Sequence, residues 1–553
     1  MSNRIVTVSA SDAQGNPSHS AQHNYVRAGL LALAHNVKDY GALGDGISND
    51  TQAFIAASAA LSAHGGGVLR IPQGVYVVGE QTLAGQLGLG YAYRSTDIIS
   101  IVNCQQPVVI EGNHAVLRAA PGLRYGSFDP VSGEPYAPAA MPFIDPDYAA
   151  GAYRMLVLAN NRHVLVRDLE LDGASDTLIL GGGWGDTGRQ LNAYGVYALN
   201  NDTLQVENVH THHHGLDGIL VSQVGTTAQS PRTPATLIRV RSEYNGRQGL
   251  SWTGGNGLTA IDCQFNHTGR GALSSSPAAG IDIEAEDGVV RNGLFINCEV
   301  INNVGPGMGA DSGDSADITF QRCTFIGSTN YPLWPRKPRL HFLDCTIAGQ
   351  LVNVYAEQTP GDGNATRFTG CRFTDQLNWN GQVHLYPGWY LLDLGGGSQG
   401  VMFDRCSMDT QHGPLIYTAG EITLRDCRLT QTTSHESTFS ACYVGYNLAF
   451  SPPGAFTTGM ARVLGQLLVN GEEAPQYAGI QYKQYLYGNN GNAYAVRQSI
   501  AYAYSPEAAV GAGQANRGDI VYNPYAAPGG YAGWICVEAG SPGIWKPFGP
   551  IAL

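Results

Sequence analysis

The sequence is short of charge. Only 14% of its 553 residues are Asp, Glu, Lys or Arg, and 31 basic residues face 44 acidic ones, for a formal net charge of −13. No run of Lys or Arg could track a phosphate backbone, so a nucleic-acid partner is not expected, and an anionic membrane surface is disfavoured. Uninterrupted apolar stretches of the ~18 to 20 residues that cross a bilayer are missing, so no membrane insertion is expected. The start, MSNRIVTVSASDAQGNPSHS, has no basic-then-apolar secretory pattern. Ten cysteines are present, without the close pairs of a small disulfide scaffold or a zinc site. Against these shortages stand 72 Gly and 29 Tyr, a composition of turns, strands and polar-aromatic faces that favours an all-β chain.

Aligning the chain on its cysteines exposes a repeat: AIDCQF at Cys263, FINCEV at Cys298, FQRCTF at Cys323, FLDCTI at Cys345, FTGCRF at Cys371, FDRCSM at Cys406 and LRDCRL at Cys427. Upstream, VRSEYN is expected to place Ser242 in the same slot. The intervals are 35, 25, 22, 26, 35 and 21 residues, a unit of 21 to 26 residues twice lengthened by a loop, as in β-solenoids. Each phrase alternates apolar and polar residues as one short strand would, with Cys inward as a reduced core residue.

The segment HNVKDYGALGDGISNDTQAFIAASAALSAHGGGVLRIPQGVYVVG, His35 to Gly79, joins a Gly-rich turn, a helix opened by Asn49 or Asp50, a GGG break and a strand. This segment resembles the opening of the pectate-lyase-like superfamily, in the branch of phage tailspike depolymerases, polygalacturonase-related proteins and alginate-epimerase-like enzymes. The resemblance extends over roughly Asn36 to Phe450. It implies a right-handed single-stranded parallel β-helix whose N-terminal capping helix covers the open edge of the first coil. Residues 1–34 then form an N-terminal segment suited to attachment or an oligomer contact, and 35–452 the β-helix. Residues 453–553, rich in Tyr, Ala and Gly, form a small C-terminal β domain for oligomerisation or for carbohydrate or receptor contact. Because that superfamily hosts lyases, hydrolases, epimerases and binding proteins, the fold leaves the reaction open. The tailspike likeness implies a homotrimer, and an extracellular or virion-associated place reached by lysis rather than by a signal.

In such a coil, equivalent positions of neighbouring turns lie ~4.8 Å apart. Matching Gly218, Gly249, Gly280 and Gly307 sets Ile219, Leu250, Ile281 and Met308 in one inward column. The outward columns are Leu220, Ser251, Asp282 and Gly309, then Ser222, Thr253, Glu284 and Asp311. Asp282, Glu284 and Asp311 are therefore the candidate catalytic carboxylates: like charges held close raise one another's pKa, so one can act as acid while another stays ionised. Both the retaining and the inverting carboxyl spacing can be drawn from these three. Asp217, Gln248, His214, Arg247 and Arg270, at or near the adjoining turns, are candidate substrate contacts. So are Trp184 in LILGGGWGDTGRQ and Trp334 in NYPLWPRKPR, with Trp379 and Trp389 in a later insertion; Trp252 falls on an inward column. The blander alternative for the acids is solvation or a structural Ca²⁺.

No metal site is expected from His212-His213-His214, since consecutive strand residues alternate faces. No cofactor is expected either. The paired Asp-Asp and Arg-x-Lys signatures of polygalacturonases are missing, which sets pectin aside. An acid-rich site favours a glycoside hydrolase that depolymerises a bacterial surface polysaccharide or exopolysaccharide. A polysaccharide lyase using His214, Tyr244, Arg247 or Arg270 is the second reading, and a non-catalytic receptor-binding spike the third.

Overall fold

The computed structural model describes residues 34–83, 91–185, 188–359, 361–385, 390–394, 397–412, 415–418, 421–431, 439–443, 446–450, 460–469, 472–473, 484–487, 493–497, 500–502, 517–518, 520–523, 526–540 and 543–552. The proposed N-terminal attachment segment up to residue 33, and Trp389, lie outside these residues. The chain divides into two compact units between Ser315 and Ala316.

The first unit opens on the expected helix, Thr51–Ala63. Both predicted starters take part: Asn49 Oδ1 accepts from Thr51 N–H at 3.0 Å, while Asp50 turns back to accept from Leu43 N–H at 2.6 Å and Gly44 N–H at 3.1 Å. The helix thereby locks the GALGDG turn that precedes it. Phe54, Ala57 and Leu61 are fully buried, and Phe54 meets Tyr76 edge-on at 5.3 Å. Ser62 bridges to the strand Tyr93–Val102, its hydroxyl lying 3.4 Å from Val102 N.

From there the chain winds in coils of three parallel faces. One face stacks Tyr153–Ala159, Ala193–Leu199, Asp217–Ser222, Gln248–Trp252 and the start of Ala279–Ile296. The next stacks the Val164–Arg167, Leu204–Glu207, Ala235–Ile238 and Leu258–Ile261 stretches. The third stacks Leu169–Asp172, Val209–His212, Arg241–Glu243 and Gln264–Asn266.

The cysteine phrases are corners, not single strands. The residue before each corner has left-handed backbone: Asp168, Asn208, Arg239, Asp262 and Asn297 at φ 51 to 56° in the first unit, and Arg322, Asp344, Gly370, Arg405 and Asp426 at φ 50 to 66° in the second. One such residue interrupts the alternation and swings the chain from one face to the next. Asn and Asp tolerate it because a short polar side chain bonds locally, and here they bond between coils: Asn208 Nδ2 donates to Asp168 Oδ1 at 2.8 Å, and Asn297 Nδ2 to Asp262 Oδ1 at 3.1 Å. The register also corrects the slot given to Ser242. Ser242 pairs with Phe265, and Arg241 with Gln264, so it is Val240 that precedes Cys263 in the column, and Ser242 lies two residues past that slot.

Cys104, Cys263, Cys298, Cys323, Cys345, Cys371, Cys406, Cys427 and Cys536 are buried and free, and several sulfurs point at a carbonyl of the coil before, as Cys371 Sγ does at 3.3 Å from the Phe342 oxygen. The second unit repeats the three-faced coil. Inside it Phe320, Phe342, Phe368 and Phe403 stack at 5.1, 4.9 and 5.0 Å with planes within 14° of parallel, close to the coil spacing. Towards its end a four-stranded sheet is formed by Ile500–Tyr502, Ile520–Tyr522, Tyr531–Glu538 and Ile544–Pro550. No helix among the described residues is long and apolar enough to cross a membrane.

Candidate active site

The face that carries Asp217–Ser222 has the register read from the glycines. Ile219 pairs with Leu250 and Leu250 with Ile281, all fully buried, while Leu220, Ser251 and Asp282 pair outward. Trp252 pairs with Val221 and Ile283 and is core, as its column demands. Alternation carries the next outward position of the same strand to Glu284. A Cβ on Gly309 would stand 3.1 Å from Asp282 Oδ1, so glycine there keeps that carboxyl unobstructed. Exposure grades across the acids: Asp217 is fully buried, Asp282 is 3% exposed, Glu284 half-buried and Asp311 exposed.

One cation serves this group. The Arg247 guanidinium lies 3.9 Å from Asp217 Oδ2 and 3.6 Å from Glu284 Oε2, and Gln248 Nε2 donates to Asp282 Oδ2. Burial, opposed by Arg247 and aided by Glu284, pushes Asp217 up to about 6. Burial, with the Glu284 charge second, holds Asp282 well above the carboxylate range. Glu284 is raised by burial and by Glu286, with Arg247 pulling the other way. Hence the Asp282 carboxyl holds its proton beside an acid that ionises more readily. Both Asp217 oxygens, Arg247 Nε, Gln248 Oε1, Ser251 Oγ and Glu284 Oε2 are buried without a hydrogen-bond partner. Such atoms are costly in a plain core and are what a site for a hydroxyl-rich ligand needs.

Asp282 and Glu284 lie two apart on one strand and share its outward face. The Glu284 charge is second only to burial in raising Asp282, so the two carboxyls act on one another across that face. Sequence reasoning missed Tyr194 and Tyr197 one coil upstream. Val196 pairs with Ile219 and Tyr197 with Leu220, which sets Tyr194 on the Asp217 column, where its hydroxyl interacts with Asp217 and Arg247 and is driven strongly upward by burial. The two rings lie 5.0 Å apart. The signal was available: AYGVYAL aligns on its glycine with LDGILVS as well as RQGLSWT does.

Residues 157–347 match the family described as right handed beta helix region. The chain is a right-handed parallel β-helix. Mannuronan C5-epimerase AlgE1 of Azotobacter vinelandii is 54% identical to the β-helix chain over 46 residues, 8% of this chain and 3% of the epimerase, so the match spans a small fraction of that relative. The A-module of mannuronan C-5 epimerase AlgE6 of Azotobacter vinelandii is similar at TM-score 0.41 and 14% identity, covering 82% of this chain and 97% of the module. Tailspike protein gp49 of Acinetobacter baumannii bacteriophage Fri1, a capsular polysaccharide depolymerase, is similar at TM-score 0.35 and 12% identity, covering 80% and 64%.

The β-helix places the other candidates elsewhere. His214 points inward, fully buried, with Nδ1 3.3 Å from Tyr153 Oη and its pKa pushed down to about 3, chiefly by burial; it offers no surface to a substrate. Arg270 lies on the turn after His267 and donates to the Asn302 carbonyl at 3.2 Å. That turn belongs to a second left-handed corner, where His213, Tyr244 and His267 stack at 5.1 and 4.7 Å. Trp184 packs edge-on against Phe143 at 5.8 Å in a cluster with Tyr136 and Tyr148. Trp334, in the second unit, packs on Tyr331 at 5.3 Å.

Proposed function

We propose that the β-helix is a polysaccharide depolymerase, a glycoside hydrolase that cuts a bacterial surface polysaccharide or exopolysaccharide at the Asp217, Arg247, Asp282 and Glu284 face. The observation that carries this reading is the pair of carboxyls Asp282 and Glu284 on one outward face, both raised by burial, with the Arg247 guanidinium 3.6 Å from Glu284. Asp282 gives its proton to the leaving glycosidic oxygen as the anomeric C–O bond breaks, and Glu284, nearer Arg247, takes a different proton from the water that bonds to the anomeric carbon. Asp311, exposed at the rim, contacts substrate, while Tyr194 and Tyr197 extend the face with aromatic surface for sugar rings. Work outside the cell or on a virion, as a homotrimer, goes with this reading.

A second reading is favoured by the 54% identity over 46 residues with mannuronan C5-epimerases. Arg247 would neutralise a uronate carboxylate and Glu284 would take the C5 proton; loss of the C4 oxygen, protonated by Asp282, then gives elimination, and return of a proton to C5 from water on the opposite face gives epimerisation. Incubation with a panel of neutral and uronate-containing exopolysaccharides separates the readings. New saturated reducing ends support hydrolysis; an ultraviolet-absorbing unsaturated end, or C5 deuterium uptake at constant chain length, replaces it with the second reading. Unchanged polymer and no exchange reduce the molecule to a binding spike. Asp282→Asn and Glu284→Gln should each lower turnover by about 100-fold or more without unfolding the chain.

A further inference from the structure

A separate group of side chains gathers on the third face of the coil. His210 and His212 lie two apart on one strand with the fully buried Thr211 between them, so both point outward. On the coil before, Glu170 pairs with His210 and Asp172 with His212; on the coil after, Arg241 and Glu243 pair with the same two histidines. His212 Nε2 stands 3.4 Å from Glu170 Oε1, and the two imidazoles lie 4.2 Å apart between centroids. One ligand atom from each of Glu170, His210 and His212 fits within a 4.8 Å span.

We propose that Glu170, His210 and His212 bind a divalent transition-metal ion, zinc or another imidazole-preferring cation, across two adjacent coils. The donor set is two neutral nitrogens and one carboxylate, the set that selects zinc, copper, nickel or iron over calcium and magnesium. The groups behind the ligands hold them in the metal-ready state. His212 Nδ1 lies 2.7 Å from His213 Nδ1 and 3.7 Å from Asp172 Oδ1; a proton kept on that side leaves the Nε2 lone pair facing Glu170. Glu243 Oε2 stands 3.3 Å from His210 Nε2 and orients that ring. The adjacent cations do not oppose a metal, since Arg118 is paired with Asp172 at 2.8 Å and Arg241 with Glu243 at 2.7 Å. The side chains of Glu170 and His210 are 39% and 28% exposed, which gives an ion a way in.

His213 was set aside with its neighbours because adjacent strand residues alternate faces. At φ 55° it is a corner residue and swings back beside His212. Asp172, His212 and His213 also offer ligand atoms within 4.8 Å of one another, but Asp172 is held by Arg118 at 2.8 Å, which leaves Glu170, His210 and His212 as the set open to an ion.

Zinc chloride titrated into the chelator-stripped full chain, in competition with a chromophoric chelator, tests this. About one equivalent should bind and raise the melting temperature, calcium should not compete, and cobalt(II) should give the visible bands of imidazole coordination. Glu170→Gln and His210→Gln, at partly exposed positions, should weaken zinc about tenfold or more with unchanged metal-free melting. Asp282→Asn should leave zinc affinity as it was. Absent binding, wild-type affinity in both ligand variants, displacement by calcium, or loss with Asp282→Asn each overturns the proposal; the last would move the ion to the carboxylate face.

Discussion

Asp217 shows how one residue can link stability to chemistry. Its carboxyl titrates at about 6 when folded, against 3.8 ordinarily, so between those values the folded chain binds the extra proton and stability falls as pH rises. The loss amounts to about 3 kcal/mol over that window. Melting temperature should accordingly decline from pH 4 to pH 6, and Asp217→Asn, which imitates the protonated form, should flatten that decline. Arg247 pulls Asp217, Asp282 and Glu284 downward, so Arg247→Met should shift the alkaline limb of both the stability and the activity profile to higher pH. A profile that stays in place would show that the guanidinium is merely packed there. Of these residues Asp282 and Glu284 were legible from the glycine register alone. The depth of Asp217 and the inward turn of His214 were not, because a corner residue breaks the alternation on which facing is read.

At the scale of the element, the corner defines the coil. Arg405 holds φ 51° with its side chain 61% exposed and paired with neighbouring Asp404, a conformation that costs a non-glycine residue roughly 1 kcal/mol. Arg405→Gly should therefore stabilise the chain by up to about 1 kcal/mol and Arg405→Val should destabilise it, read by denaturant unfolding. Equal effects would deny the left-handed corner. The cysteines that revealed the period are packed thiols, so added reductant should leave the melting temperature where it is. Their spacing was readable because every coil needs a small apolar residue just past the corner. The corner itself was hidden, since Asp, Asn, Arg and Gly all occupy it and share no sequence signature.

Over the whole molecule, the stacking of coils is what turns distant sequence segments into one site. Gln248 and Asp282, 34 residues apart, are hydrogen-bonded, and Tyr194, Asp217 and Arg247 come from three successive coils. The period, the cap and the coil were legible because they repeat or are carried by a dense local motif. The insertions that carry Trp184 and Trp334 follow no register, so the repeat could not place these side chains; Trp184 packs on Phe143 of another insertion and Trp334 on Tyr331 of its own loop. The central claim is that the Asp282–Glu284 dyad cuts a glycan, and chain-length analysis of an exopolysaccharide panel tests it most directly. Wild type should shorten one polymer, yielding saturated reducing ends, while Asp282→Asn and Glu284→Gln leave it intact. A polymer cut equally well by both variants, or by none of the proteins on any substrate, would contradict it.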